Sequence, residues 1–346
     1  MIELTYDITL ELQVNFMKVK ITDVARKAGV STATVSYVIN NNRTVGAETK
    51  KKVEDAIREL NYVPNLSARK LKKGKSHLIG LILPNCYSIS SISIIESCEQ
   101  YLSEHGYHIL LMTTNQNHDA EKEALQIFSS GIVDGILLES LCDTPDAIIQ
   151  ELPVYLPVVV IDNCYSGLPV DRIGYSANSV MQEAVASLTA KGHKKIGLLS
   201  GPRYLSGTQD TLTSFQNATA HFGLSKENSP FVCTRRSEGR IRQAVSELHA
   251  NGCSAVIFSN FNMLLDSFQD PLTGQISIPS DMEVLSFYES STDKGFYESI
   301  SKIYRPSDQM AKIACRLLLN RIQGDTSPIQ SINLECVFSP HTKANL

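Results

Sequence analysis

From Ser76 onward the chain repeats one pattern: a short run of consecutive apolar residues, an amphipathic stretch, then another apolar run. Runs at 78–83 (LIGLIL), 108–113 (HILLMT), 133–138 (VDGILL), 158–162 (VVVID), 196–200 (IGLLS), 231–234, 255–259 (AVIFS) and 283–287 (EVLSF) predict strands. Helices are predicted between them, at 91–105, 121–130, 178–191 and 214–222, with a last one at 310–322. A strand that is apolar at every position has both faces covered, and covering both faces calls for a parallel sheet between helical layers. Eight such strands predict two doubly wound lobes, which a chain of 346 residues has the length to build beside a smaller unit.

The segment before residue 76 obeys a different rule. Ile21, Val24, Ala25 and Ala28 recur at helical spacing, with Thr22 placed to cap and Gly29 where a left-handed turn residue is wanted. Ser31 is placed to cap a second helix that buries Val35, Val38 and Ile39 and turns Thr32, Ala33, Ser36, Tyr37 and Asn40 the other way. A third, from about Ala47 to Leu60, carries Val53, Ala56, Ile57 and Leu60 on one stripe. Three small helices with a glycine turn between the first two form a helix-turn-helix unit. Asn61 to Pro64 stops the third helix, and residues 65–74 (NLSARKLKKG) are cationic and too short to be helical alone.

Charge divides the chain at the same place. The net charge of −4 conceals +9 over residues 17–76 (14 basic, 5 acidic), −10 over 77–346 (18 basic, 28 acidic) and −3 over 1–16. Clustered cations on an acidic body point to a head that neutralises phosphates. Residues 1–16 hold no Lys or Arg and stay unassigned, either a leader upstream of Met17 or a short extra strand. No stretch approaches the roughly 18 to 20 apolar residues of a membrane helix, and the first residues lack the order of a signal peptide, so a cytoplasmic protein without membrane contact is expected. Eight cysteines lie scattered, never as C-x-x-C and never paired with histidines at zinc spacing, so reduced, mostly buried thiols and no cofactor or metal are expected.

The run ITDVARKAGVSTATVSYVIN, followed by ETKKKVEDAIRELNYVPN and LSARKL, resembles the DNA-binding head of the lactose/galactose repressor family. KGHKKIGLLSGP (191–202), IPSDMEVLSF (278–287) and Arg305-Pro306 extend the resemblance over residues 18 to about 340. It implies a helix-turn-helix domain at 17–63, a hinge helix and linker at 64–76, and a body at 77–346 like a periplasmic sugar-binding protein, for effector binding and dimerisation. Lobe one is then about 77–176 plus 306–328, lobe two about 177–305 plus 329–346. The implied function is a transcription regulator, most simply a dimeric repressor on a pseudo-palindromic duplex; the absence of a heptad helix before Leu346 favours a dimer over a tetramer.

Thr32, Ala33 and Tyr37 match the family's base-reading positions. A hydroxyl, methyl-bearing side chains and a ring favour contact with a thymine methyl and a single hydrogen bond over bidentate reading of guanine. Ser31, Thr34, Ser36 and Asn40 are placed for phosphates. At the family's hinge position Leu71 implies a wedge in a minor-groove step, with Ala68 allowing close approach, Arg69 and Lys72 reaching phosphates and Asn65 capping the hinge helix. In the cleft, Asp162, Tyr175 and Asn260 fit family ligand positions. Ser90 and Ser91 replace an aromatic pair, Thr211 an arginine, Phe261 an acid, Tyr288 an acid, and Ser176 and Ala177 an acid and an amide. Losing those charged groups makes a common neutral or acidic sugar a poorer fit and leaves three readings of the cleft: an unusual, more apolar effector, with a sugar derivative still open; a degenerate cleft with constitutive DNA binding; or control by a protein co-regulator.

An enzyme is the competing class. Gly74-Lys75-Ser76 would end a phosphate loop, but the glycine needed five positions earlier is Arg69. Ser200 lacks the first glycine of a nucleophile elbow. His118 and Glu121 share a helical face without a visible third ligand and read as a solvated helix start.

Overall fold

The computed structural model describes residues 19–40, 44–63, 74–163, 165–234, 238–268, 282–289 and 300–341. The proposed hinge residues Asn65, Ala68, Arg69, Leu71 and Lys72, and residues 1–16, lie outside them. The chain divides into two compact units, residues 1–76 and 77–346.

The first unit holds α1 (Ile21–Ala28), α2 (Thr32–Asn40) and α3 (Ala47–Glu59). Gly29 takes the left-handed conformation (φ 66°) that ends α1 and turns the chain into α2. The start of α1 differs from expectation: Lys20 is the cap position, its backbone N–H donates to Asp23 (2.9 Å), and Thr22 lies within the first turn. Ser31 does cap α2, its hydroxyl accepting from the Thr34 N–H (3.1 Å). Val24, Ala25, Val35, Val38, Val53 and Ala56 are buried together, so each helix gives its apolar stripe to one small core.

The second unit contains two six-stranded sheets. The first joins β1 (Leu78–Leu83), β2 (His108–Thr113), β3 (Gly135–Leu138), β4 (Val158–Ile161), β5 (Asp171–Ser176) and β11 (Ser331–Glu335) in the order β11-β5-β4-β3-β1-β2, all parallel. The second joins β6 (Ile196–Ser200), β7 (Phe231–Cys233), β8 (Ala255–Phe258), β9 (Glu283–Tyr288), β10 (Ser301–Tyr304) and β12 (Val337–Ser339) in the order β12-β10-β9-β8-β6-β7, with only β12 antiparallel. All eight predicted strands are present. β5, β10, β11 and β12 were not predicted, because they mix polar residues with apolar ones and none carries a sustained apolar run.

Helices cover both faces. In the first lobe, Ile79, Leu81 and Leu83 pack with α4 (Ile89–Glu104) and α11 (Ser307–Ile322), while Ile82, Ile136 and Leu138 pack on the other side with α5 (His118–Ile127) and Phe128. A β-carbon on Gly80 would lie 2.4 Å from the Phe128 ring, so the glycine makes room for that ring against β1. A short helix α6 (Pro145–Glu151) follows β3. In the second lobe, α7 (Asn178–Ala190) and α8 (Ser206–His221) cover one face, and α9 (Glu238–Ala250) and α10 (Phe261–Phe268) cover the other.

The chain passes between the sheets at Ala177, at Arg305-Pro306 and at Cys336. The last crossing corrects the expected return to lobe two at 329: residues 331–335 pair with β5 of the first sheet, and only 337–339 join the second. The reason is local. Asp171, at the start of β5, accepts from the Gln330 N–H (2.8 Å) and holds the incoming strand beside β5.

Candidate functional site

On α2 the turn of about 100° per residue places Thr32, Ser36, Asn40, Ala33 and Tyr37 within an arc of about 140°. Val35 and Val38 lie opposite and are buried. Thr32 and Ala33 are exposed at the start of the helix and Tyr37 is partly exposed one turn on. Ser31 and Thr34 bond each other (2.9 Å), and the Asn40 amide donates to the Ser36 carbonyl (2.8 Å), so these polar side chains are oriented by the helix itself.

In the body, the carboxyl ends of β1, β3, β4, β6 and β8 open onto a cavity of about 170 Å³ between the two lobes. Ser90, Asp162, Thr211 and Asn260 of the six predicted cleft residues line it. Tyr175 and Tyr288 do not. The Tyr175 hydroxyl donates to Ser307 (2.9 Å), and the buried Tyr288 ring stands edge-on to Phe261, their centroids 4.6 Å apart. Both belong to the packing behind the cavity. Thr211 spends its hydroxyl proton on the Gly207 carbonyl (2.8 Å), and Asn260 caps α10 by accepting from the Asn262 N–H (2.8 Å).

Two further charged groups in the wall were not among the expected cleft residues. Glu139, directly after β3, and Arg305, at the second crossing, both line the cavity with Asp162. Arg305 is its only basic side chain among the described residues. Its guanidinium donates to the Ser259 carbonyl (3.2 Å), lies over the Phe287 ring (4.6 Å) and stands 3.9 Å from the buried Glu289. Burial raises the pKa of all three carboxyls. Glu139 is held well above the usual range, with the Asp162 charge adding to the effect; Asp162 is raised, opposed by Arg305; Glu289 is pushed up to about 6, also opposed by Arg305. Asp162 also adopts a left-handed backbone (φ 61°), unusual for a residue with a side chain and placed where β4 ends at the cleft.

The rest of the wall mixes hydroxyls and amides with apolar groups, among them Pro84, Leu141, Pro202, Leu205 and Met263. Ser88 caps α4, bonds Ser91 (2.6 Å) and donates its own N–H to the Asn85 side-chain oxygen (2.9 Å); Ser200 donates to Ser259 (2.8 Å). One signal for Glu139 was available: an acid immediately after an entirely apolar strand, GILLE, parallels VVVID, which ends in Asp162.

Of the pair expected as a solvated helix start, His118 is exposed at the first position of α5 but Glu121 is not. Glu121 is buried and accepts from the Ser140 hydroxyl (2.6 Å) and the Leu141 N–H (2.6 Å); His118 Nε2 lies 3.0 Å from the Cys142 sulfur. The seven described cysteines are all unpaired with one another, and five of them are buried.

Residues 20–65 match the bacterial regulatory proteins of the lacI family, and residues 76–260 match the periplasmic binding proteins and sugar-binding domain of the LacI family. The chain belongs to the LacI family. A further match, to the periplasmic binding protein-like domain, covers 185–340. Among its relatives, the ribose operon repressor of Haemophilus influenzae is 29% identical over 321 residues, covering 91% of this chain and 96% of that one. The transcriptional repressor PurR of Photobacterium profundum is 29% identical over 316 residues, covering 88% and 92%. In fold, the chain is similar to the Lac repressor bound to ONPG (TM-score 0.77, 23% identity, 93% of this chain and 98% of that one). It is also similar to a cellobiose complex of the regulator CelR (TM-score 0.66, 22% identity, 93% and 98%). This LacI-family chain is a DNA-binding transcription regulator, with a head built of α1 to α3 and a body of two sheet-based lobes. No helix among its described residues is long and apolar enough to cross a membrane.

Proposed function

We propose that the chain is a cytoplasmic, homodimeric repressor without catalytic activity, which reads a pseudo-palindromic operator and is switched by a small molecule held between the lobes. Thr32, Ala33 and Tyr37 read base edges in the major groove; Ser31, Thr34, Ser36 and Asn40 meet phosphates. In the hinge, Leu71 is the minor-groove wedge, Ala68 permits its approach, Arg69 and Lys72 hold phosphates and Asn65 caps the segment. The observation that carries this reading is the exposed, preoriented polar face of α2 above buried Val35 and Val38 in a chain that also holds a polar cleft. Selection from random duplexes by the full-length protein tests it: the expected result is a pseudo-palindrome whose half-site preference changes at one position when Tyr37 is replaced. Recovery of the same consensus from a Tyr37→Ala variant would refute the base-reading role.

For the effector, the cleft offers the carboxylates of Glu139 and Asp162 against the single guanidinium of Arg305, with Asn163, Asn260 and several serines around them. That set accepts more hydrogen bonds from charged groups than it donates. It fits a compact, donor-rich molecule, neutral or cationic, such as a sugar or an amino sugar, and disfavours a sugar phosphate. A ligand that binds the folded body raises its melting temperature by mass action. Amino and neutral sugars are expected to do so and sugar phosphates are not; stabilisation by phosphates alone would overturn the assignment, and a blank result with every small molecule would favour a protein co-regulator.

A further inference from the structure

One cluster lies outside both the DNA-reading face and the cleft cavity. His118 opens α5, Cys142 sits in the loop after β3, and Glu151 closes α6, yet one ligand atom from each falls within 4.8 Å of the others. The separations are 3.0 Å from His118 Nε2 to Cys142 Sγ, 3.7 Å from that nitrogen to Glu151 Oε1, and 4.0 Å from the sulfur to Glu151 Oε2. A tetrahedral zinc ion with bonds of about 2.3 Å to sulfur and 2.0 Å to nitrogen and oxygen needs ligand edges of about 3.3 to 3.6 Å. The two Glu151 separations run to different carboxylate oxygens; with one oxygen as the ligand the three atoms lie within 4.8 Å of one another, and small rotations of the half-exposed imidazole and of the carboxylate would bring the edges to those values.

The surroundings are built to hold these three groups. Asn117 caps α5 by accepting from the Asp119 and Ala120 N–H groups, which fixes the backbone that carries His118. Glu121 grips Ser140 and Leu141, orienting the loop that carries Cys142, and its Oε1 stands 3.7 Å from the sulfur. Glu151 is nearly buried while His118 is open to solvent, which leaves an entrance on one side. Thiolate, imidazole and carboxylate together suit zinc or cobalt and not magnesium or calcium, whose sites are built from oxygen.

We propose that His118, Cys142 and Glu151 form a binding site for a borderline divalent transition metal of the zinc type, with water in the fourth position. The metal takes the place of the Cys142 thiol proton, which leaves to solvent. The site adjoins the switch: Leu141 lines the effector cavity, and the Tyr165 hydroxyl lies within hydrogen-bond distance of the carbonyls of Cys142 (3.1 Å) and, across the lobes, of Tyr204 (2.7 Å).

The test uses the full-length, reduced and chelator-treated protein, titrated with Co(II). One equivalent per chain should bring a near-ultraviolet thiolate-to-cobalt band that zinc removes. Cys142→Ser should abolish the band, and His118→Ala and Glu151→Gln should weaken Co(II) binding at least tenfold. Cys86→Ser, which alters the exposed cysteine, should leave the band unchanged. Zinc should also raise the melting temperature of the unaltered protein and not that of Glu151→Gln, whose melting without metal serves as the check on folding. A missing band, or one that survives in Cys142→Ser or disappears in Cys86→Ser, overturns the proposal and leaves the three residues as a hydrogen-bonded chain. None of these readouts depends on the effector or the operator.

Discussion

Replacing Arg305 with Met keeps an apolar stem of similar length, removes the guanidinium from over Phe287, and takes away the only cation lining the cleft among the described residues, leaving Glu139, Asp162 and Glu289 without their shared counter-charge. Loss of one partner from a buried charge cluster costs about 3 to 5 kcal/mol. At about 2 to 4 °C per kcal/mol for a domain of this size, the body should melt roughly 6 to 20 °C lower near pH 7.5. The deficit should depend on pH in a definite direction. A carboxyl whose pKa is raised in the folded state contributes full stability below its unfolded value, and that stability is lost as pH rises through the folded value. In the unaltered protein this places the Glu289 contribution between about 4.5 and 6. Without Arg305 to oppose burial, the folded values rise further. Each carboxyl that binds a proton only when folded then returns about 1.4 kcal/mol per pH unit on acidification. Between pH 7.5 and 5.5, two such groups would offset most of the loss. Thermal melts of Arg305→Met and the unaltered protein across that range provide the assay. A deficit constant with pH would refute the reasoning and assign the loss to packing against Phe287 and Tyr175.

Other expectations follow from single contacts. Ser31→Ala removes the cap of α2 and should cost the head about 1 kcal/mol, read by urea denaturation of the full chain and by weaker operator binding. Gly80→Ala forces Phe128 to move and should cost about 1 to 3 kcal/mol; combining it with Phe128→Leu should cost less than the sum of the two, and strict additivity would count against the contact. Arg321→Met strips the bidentate partner from the buried Asp171 and should destabilise by about 3 kcal/mol in calorimetry, while Asp171→Leu with Arg321→Met should recover most of it. Leu71→Ala should weaken binding to the selected operator while sparing affinity for unrelated DNA in a band-shift assay; an unchanged ratio would remove the wedge.

What could be read in the sequence was whatever local periodicity encodes. The helix-turn-helix stripes and the eight fully apolar strands announce themselves because the residues that make each element are neighbours in the chain. β5, with DRIGYS, and β11, with SINLE, do not, since each is a strand by virtue of its partner and of Asp171 joining them. The cleft was half legible. Asp162 and Asn260 stand at strand ends, but Tyr175 and Tyr288, expected in the cleft, turn into the packing behind it, where Ser307 and Phe261 meet them. Glu139 and Arg305 gain their significance only because two strand ends and a crossing converge, and His118 meets Cys142 only through the fold of the first lobe.

The three passages between the lobes are short: one residue at Ala177, two at Arg305-Pro306, one at Cys336. Connections that brief have no slack to pay out, so the lobes are tethered like two plates on a stiff triple strap. They can twist or tilt about the strap but cannot separate. A perturbation in the cleft is therefore channelled into rotation of one lobe against the other, and Arg305, which lines the cleft, is itself part of the strap.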